Sequence, residues 1–197
     1  YLPPNCRRVP ETSEQPLAAA VLRRAGVACP IRLLDVERQG EPIASGARIV
    51  RWKDGPALYV GVLLDEGRNV RVELPQSGHL YELSGGGRPL GEGTAATLDL
   101  RGASHALLAS LPYKIERLDL QAVPARRGEP LPLQWTLRAT AGTPLRHVVH
   151  FDVLRPDGTR DHNLSRNCVF RDGQGKCALP LALNDPPGRW TVRAREI

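Results

Sequence analysis

The sequence lacks methionine altogether, and only three of its 27 basic residues are lysine, at positions 53, 114 and 176. Because there is no initiator methionine, we expect Tyr1 to be either the processed end of a mature protein or the start of a fragment. No apolar run approaches the roughly 20 residues that a membrane-spanning helix needs, and no signal-peptide pattern opens the chain. The sequence therefore predicts no membrane span.

Aromatic residues are also scarce, at 5% of the chain, and the positive charge is not concentrated in one place. The net charge of +6 comes almost entirely from arginines, which are spread along the chain without interleaved aromatic rings. Nucleic-acid-binding surfaces usually cluster basic residues on one face. The composition therefore predicts no nucleic-acid partner.

The four cysteines form no Cys-x-x-Cys pair, and no histidine lies at zinc-ligand spacing from them. The sequence therefore predicts no metal site and no cofactor. Pairing Cys6 with Cys29 and Cys168 with Cys177 uses all four thiols, and such disulfides are typical of an oxidising compartment. We accordingly expect a secreted protein, extracellular or periplasmic. The alternative is a cytosolic protein with four free, buried thiols.

The segment around Asp172-Gly173 has the pattern of a β-hairpin, because two short apolar runs flank a polar connector that contains glycine. With Asp172-Gly173 at the centre of the turn, Cys168 and Cys177 become neighbours on adjacent strands. That separation is within the reach of a disulfide.

Glycine and proline are abundant, at 19 and 18 residues, and 41% of the residues are hydrophobic. This combination is typical of a folded chain with many turns. Short strands of period-two alternation are separated by tight turns. The predicted strands are 31–36, 48–52, 57–64, 69–74, 78–83, 94–100, 106–111, 115–123, 131–139, 147–155, 164–170, 176–183 and 189–197.

One helix is predicted, near the N-terminus. Residues 12–16 contain a Ser/Thr cap, an early acid and an early proline. Leu17, Val21 and Ala25 then share one helical face, and Gly26 ends the helix.

The predicted fold class is all-β: two tandem β-sandwich domains, immunoglobulin-like or fibronectin-like, preceded by a short helix-containing segment. Residues 1–45 form that N-terminal segment, which is either the remnant of a preceding α/β domain or an extension. Residues 46–113 form an antiparallel sandwich, and residues 114–197 form the immunoglobulin-like sandwich.

His147 and His150 resemble a metal-binding pair, but their odd separation along one strand places them on opposite faces. They therefore cannot share an ion. Asp161 lies in a predicted turn, where a carboxylate usually caps backbone N–H groups. The sequence predicts no catalytic residue.

The tryptophans divide into core and surface candidates. Trp135 alternates with leucines and Trp190 with Val192, which predicts that both rings lie in the core. Trp52, beside a turn, and Tyr59, on the next strand, are the candidate glycan contacts.

Five sequence segments of the first predicted sandwich carry a family resemblance: 51–55 (Arg-Trp-Lys-Asp-Gly), 59–61 (Tyr-Val-Gly), 70–75 (Val-Arg-Val-Glu-Leu-Pro), 78–83 (Gly-His-Leu-Tyr-Glu-Leu) and 106–113 (Ala-Leu-Leu-Ala-Ser-Leu-Pro-Tyr). With them, residues 50–113 resemble the C-terminal β-domain of β-galactosidase-type glycoside hydrolases. Residues 180–191 resemble the immunoglobulin-like module appended to some bacterial members, and residues 17–36 are similar to the end of the trimerisation domain that precedes the β-domain. The resemblance implies that the two catalytic carboxylates lie on a barrel outside this sequence.

The expected function is therefore that of non-catalytic accessory modules of a secreted glycoside-hydrolase-like protein, which serve packing or assembly with other domains of the same polypeptide. One alternative is a self-associating surface or filament subunit that assembles through strand edges. Another is a carbohydrate-binding module with a polysaccharide partner.

Overall fold

The computed structural model describes residues 30–43, 45–84 and 86–197, and all regular structure in these ranges is β-strand. The prediction of an all-β fold is confirmed. The predicted helix at 17–25 and the cysteines Cys6 and Cys29 lie outside the described residues. The strands are β1 (Arg32–Asp35), β2 (Glu41–Pro42), β3 (Ala47–Asp54), β4 (Ala57–Leu64), β5 (Asn69–Glu82), β6 (Arg88–Asp99), β7 (His105–Leu111), β8 (Ile115–Ala122), β9 (Pro130–Ala139), β10 (His147–Leu154), β11 (Arg166–Phe170), β12 (Gln174–Pro180) and β13 (Thr191–Glu196).

The first seven strands form one antiparallel sheet in the order β2-β1-β5-β7-β4-β3, and β6 pairs with the other edge of β5. We call this unit the first sandwich. Two strands predicted at 69–74 and 78–83 are one long strand, β5, in the structure. Its register with β6 shifts between Glu73 and Gly78, so a bulge accommodates Pro75, whose missing N–H otherwise ends a strand.

The bulge in β5 folds the sheet over itself. The first part of β5 pairs with β1 and the last part pairs with β7, so one strand contributes to both layers. Valine and leucine side chains from β4, β5 and β7 then meet in one buried cluster, which includes Val60, Val72 and Leu108. Because β1 also pairs with β5, the sheet extends further toward the N-terminus than the expected boundary at residue 46.

The last six strands form two facing three-stranded sheets, β11-β10-β13 and β12-β9-β8, which we call the second sandwich. Trp135 occupies the centre of its core and meets Phe151 and Phe170 edge-on, with ring centroids 5.0 and 5.8 Å apart. Trp135 is buried as predicted, whereas Trp190 is only half-buried against the same cluster.

The predicted pairing of β11 with β12 is wrong, although the turn itself is present. Asp172 and Gly173 both have positive φ angles, 57° and 70°, as a tight hairpin turn requires. Beyond the turn, however, β11 pairs with β10 and β12 pairs with β9. Phe170 and Leu179 both reach the core, from facing sheets. The turn signal is local, but burial of these side chains decides the partner strands.

Cys168 and Cys177 consequently face each other across the second sandwich instead of along one sheet. Both are free thiols, 4.0 Å apart. Burial, and then the neighbouring Cys168, raise the pKa of the Cys177 thiol to about 11. A disulfide between them stays a prediction.

Candidate functional site: the interdomain cleft

The two sandwiches meet through a small apolar cluster. Tyr81 and Leu111 from the first sandwich pack with Ile115 and Leu145 from the second, and Tyr113 lies in the connection between them. Such a shared cluster resists separation, because parting the sandwiches would expose apolar surface to water.

Two tyrosine hydroxyls join the sandwiches through backbone groups. The Tyr81 hydroxyl accepts the N–H of Ile115 at 2.8 Å, and the Tyr113 hydroxyl accepts the N–H of Leu145 at 2.6 Å. Ile115 is the first residue of β8, and Leu145 lies just before β10. Each tyrosine therefore satisfies a donor that packing alone would leave unpaired.

The Tyr113 hydroxyl continues into a buried chain of side chains. It lies 2.8 Å from Nε2 of His147, whose Nδ1 lies 2.7 Å from Oε1 of Glu196. All groups are satisfied when Tyr113 donates to Nε2 and the Nδ1–H of His147 donates to the Glu196 carboxylate. The network thereby links the connection between the sandwiches, the first residue of β10 and the end of β13.

This chain has the residue types of an acid–base relay, and its phenol is buried. Tyr113 is 2% exposed, and burial raises the pKa of its hydroxyl to about 12, although the N–H bond from Leu145 opposes the shift. The hydroxyl therefore stays protonated at neutral pH.

A cleft of about 350 Å³ opens beside this network, and we call it the interdomain cleft. Leu83, Leu107 and Ala109 contribute apolar surface, while Glu196 and Ile197 come from the second sandwich. Clefts between domains of this size and mixed polarity are common places for small ligands.

The structure brings the two candidate glycan contacts together at this cleft. Trp52 and Tyr59 are direct partners in the register of β3 and β4, and both line the cleft. The Trp52 ring lies over Gly61, where a Cβ would come within 3.4 Å of the indole. Because Trp52 is 52% exposed, part of its ring surface remains open to solvent.

Charged groups surround the Tyr59 hydroxyl. The carboxylate of Asp54 lies 3.8 Å from the guanidinium of Arg146, so this ion pair also bridges the two sandwiches. Burial, followed by the charges of Asp54 and Glu196, raises the pKa of Tyr59. Within the described ranges, the Tyr59 hydroxyl has no hydrogen-bond partner, which leaves it free for a ligand.

The structure also places the two histidines of β10 and the aspartate at position 161. His147 points between the two sandwiches, toward Tyr113 and Glu196. His150 lies on the other face of β10, beside Asn167 and Asp152. The described part of the chain contains no cluster of three or more groups that could hold a metal ion, and no helix there is long and apolar enough to cross a membrane. Asp161 caps its turn, because Oδ1 accepts the N–H groups of Asn163 and Leu164.

Sequence reasoning missed Tyr113, His147, Glu196, Asp54 and Arg146 as members of one site. Their partners are far apart in the chain: Tyr113 and His147 are separated by 34 residues, and His147 and Glu196 by 49. The one local signal was the Pro112-Tyr113 step at the predicted domain boundary. A tyrosine there can bind backbone groups of both sandwiches.

Comparison of the chain with known protein families, with curated proteins and with solved structures gives no significant match.

Proposed function

We propose that this chain is a pair of non-catalytic accessory modules of a secreted glycoside-hydrolase-like protein, and that it serves packing or assembly. The observation that carries the proposal is the joint between the sandwiches. Its apolar cluster and its buried hydrogen bonds occupy the side chains that would otherwise be available for chemistry. The resemblance of residues 50–113 to the β-domain of β-galactosidase-type hydrolases supplies the family context.

A joint of this kind suits a module that positions other domains. The Tyr113 hydroxyl, the His147 ring and the Glu196 carboxylate bind one another, so loss of any one leaves a buried polar group unpaired. Such a network suits an accessory role, because it holds the two sandwiches in one fixed relative position.

The joint can be tested with two matched tyrosine substitutions. Tyr113→Phe removes a hydroxyl with two partners, whereas Tyr59→Phe removes one with no partner in the described part. We expect Tyr113→Phe to lower the free energy of unfolding by about 1–3 kcal/mol and to separate the unfolding of the two sandwiches, with little effect from Tyr59→Phe. Equal effects in calorimetry would contradict a structural role for the network.

Two further measurements address the family context and the absence of catalysis. The complete reading frame should encode a catalytic barrel upstream of residue 1, and a frame without one would remove the hydrolase context. Hydrolysis of a glycoside by this chain alone, lost in Glu196→Gln, would contradict a non-catalytic role.

A second candidate function is carbohydrate binding at the interdomain cleft, favoured by the exposed ring of Trp52 and by the Tyr59 hydroxyl, which has no hydrogen-bond partner among the described residues. Aromatic faces with nearby polar groups suit the apolar faces and hydroxyls of a sugar. Trp52→Ala should abolish the change in tryptophan fluorescence caused by a bound polysaccharide. Leu63→Ala, an exposed apolar residue on β4 outside the cleft, is the control. Absence of any fluorescence change over a panel of polysaccharides would exclude this candidate.

A further inference from the structure

The second sandwich is closed on one side and open on the other. On the closed side, the Asp172-Gly173 turn connects the two sheets, and Cys168 and Cys177 meet between them. On the other side, which we call open because no described turn joins its strands, β8 and β13 are the edges of their sheets and approach each other without pairing.

An apolar groove of about 520 Å³ opens at the end of the second sandwich where β8 ends and β13 begins, and it reaches across the sheet to β12. Leu120 of β8, Leu131 of β9 and Leu179 of β12 line one wall, and Trp190 and Val192 line the other. The groove shares no lining residue with the interdomain cleft. It is therefore a separate feature of the molecule.

Core-facing side chains on the two edge strands are incompletely covered. Val192 on β13 is paired with Val153 on β10, and Leu120 on β8 is paired with Trp135 on β9. Val153 and Trp135 are buried, but Val192 and Leu120 are only half-buried. The sandwich lacks cover along both edges of the groove.

The backbone of β13 indicates which kind of polypeptide segment could bind beside the groove. Within the described residues, β13 pairs on one edge only, with β10. Its other edge presents N–H and C=O groups that an extended strand can bind, except at Glu196, whose backbone carbonyl lies close to Gly87 of the first sandwich. Such a strand would also direct every second side chain into the groove, because strand side chains alternate between faces.

The outward charges of β13 select among such strands. Arg193 and Arg195 point away from the core and form no ion pair with another described residue. Antiparallel pairing of two copies of β13, with matching faces, would place an arginine opposite an arginine, which is unfavourable. A strand with acidic residues at its outward positions instead complements this edge.

We propose that the free edge of β13 and the adjoining apolar groove form a docking site for an extended strand of a partner polypeptide, apolar at alternate positions and acidic at the positions between them. Its backbone pairs with β13, its apolar side chains cover Val192 and Leu120, and its acidic side chains face Arg193 and Arg195. This site goes beyond the accessory role proposed above, because it gives the second sandwich a partner of defined chemistry.

Three synthetic peptides of equal length test the proposal with the full chain. The first alternates glutamate with valine, the second replaces each glutamate with lysine, and the third repeats the first with N-methylated backbone amides. In a Trp52→Phe variant, the remaining emission comes from Trp135 and Trp190, and a change in it reports occupation because Trp190 lines the groove. We expect saturable binding of the glutamate peptide, binding of the lysine peptide weaker by about tenfold or more, and no binding of the methylated peptide.

The double variant Arg193→Glu/Arg195→Glu provides the matched control, because it should reverse the preference between the two unmethylated peptides. Binding of the methylated peptide equal to that of its parent would overturn strand pairing. If the double variant still preferred the glutamate peptide over the lysine peptide, the proposed acidic character of the partner strand would be overturned. A concentration-dependent dimer in light scattering that competes with the glutamate peptide would make a second copy the occupant and overturn the acidic partner.

Discussion

The two sandwiches bury their cores in different ways. In the first, one bent strand, β5, belongs to both layers, and the valines and leucines that face inward from β4, β5 and β7 are almost completely buried. In the second, two separate sheets are connected at one side, and inward-facing residues of β8 and β13 remain half-buried. A continuous sheet that folds over itself therefore closes its core through the backbone, whereas two separate sheets depend on side-chain packing and turns.

The largest expected effect comes from emptying the centre of the second core. Phe151 is fully buried against Trp135, so Phe151→Ala should lower the free energy of unfolding of the second sandwich by about 3–5 kcal/mol. In a Trp52→Phe background, the remaining fluorescence comes from Trp135 and Trp190 and reports that sandwich alone. We expect its transition in urea to precede the loss of circular dichroism from the first sandwich.

Leu108→Ala is the counterpart in the first sandwich, where Leu108 is also fully buried. Its cost should be about 2–5 kcal/mol, and the fluorescence transition of the second sandwich should move less than in Phe151→Ala. Coincident transitions by both probes in both variants would show that the two cores unfold as one unit. That result would contradict the difference between the two sandwiches described above.

Most of the individual strands in both sandwiches are predictable from the sequence, because alternation and turn residues are local signals. Strand β4 coincides with the predicted range 57–64, and β10 and β13 agree within two residues at each end. The continuity of β5 is not predictable in this way, because Pro75 is also a signal for the end of a strand. The partners of β11 and β12 are likewise decided by distant side chains.

The candidate site is only half predictable, for a similar reason. Trp52 and Tyr59 follow from position, since one precedes and one follows the same tight turn and their registers match. The chain from Tyr113 through His147 to Glu196 depends on how the second sandwich packs against the first. No pattern within any single strand contains that information.

A glycine in β12 offers a sharper test of dependence on side-chain packing. A Cβ on Gly175 would run into the indole of Trp135, and that ring is held by Phe151 and Phe170. Gly175→Ala should therefore lower the free energy of unfolding by about 3 kcal/mol. Gly102→Ala in the first sandwich, where a Cβ meets open space, is the matched control and should have little effect. Equal denaturation midpoints for the two variants would contradict tight packing over Gly175.

The cysteine pair allows the closed side of the second sandwich to be strengthened. Oxidation of Cys168 and Cys177 would join the two sheets covalently and raise the free energy of unfolding by roughly 2–3 kcal/mol. Since burial and Cys168 raise the pKa of Cys177 to about 11, the reactive thiolate is rare at neutral pH, and oxidation should accelerate as the pH rises.

The measurement is the denaturation midpoint of the oxidised chain with and without reductant. Cys168→Ala is the control, because it should show no dependence on reductant from this pair. If the oxidised chain kept two free thiols at these positions by peptide mapping, the cross-sheet disulfide would be excluded.

The smallest expected effect compares two buried aspartates, one in each sandwich, that cap turns in the same way. Asp35 accepts the N–H groups of Glu37 and Arg38, with the Arg68 guanidinium 3.5 Å away. Asp161 likewise caps its turn, but the Nε and Nη2 atoms of Arg155 both bind its Oδ2, at 3.0 and 2.9 Å. Asp161→Asn should therefore cost more at neutral pH, about 1.5 kcal/mol, than Asp35→Asn.

The pH dependence gives the sign of the Asp161 contribution. Burial alone would raise the pKa of Asp161, but the N–H groups of Leu164 and Asn163 and the guanidinium of Arg155 outweigh it, so the pKa is lowered. The ionised carboxylate thus stabilises the second sandwich above the ordinary aspartate pKa of about 3.9, and this stability is lost as the pH falls through the lowered value. Unfolding followed by Trp135 and Trp190 fluorescence in the Trp52→Phe background should become easier in acid, and Asp161→Asn should flatten that dependence. A slope below pH 4 that is unchanged in Asp161→Asn would assign the acid sensitivity of the second sandwich to other groups.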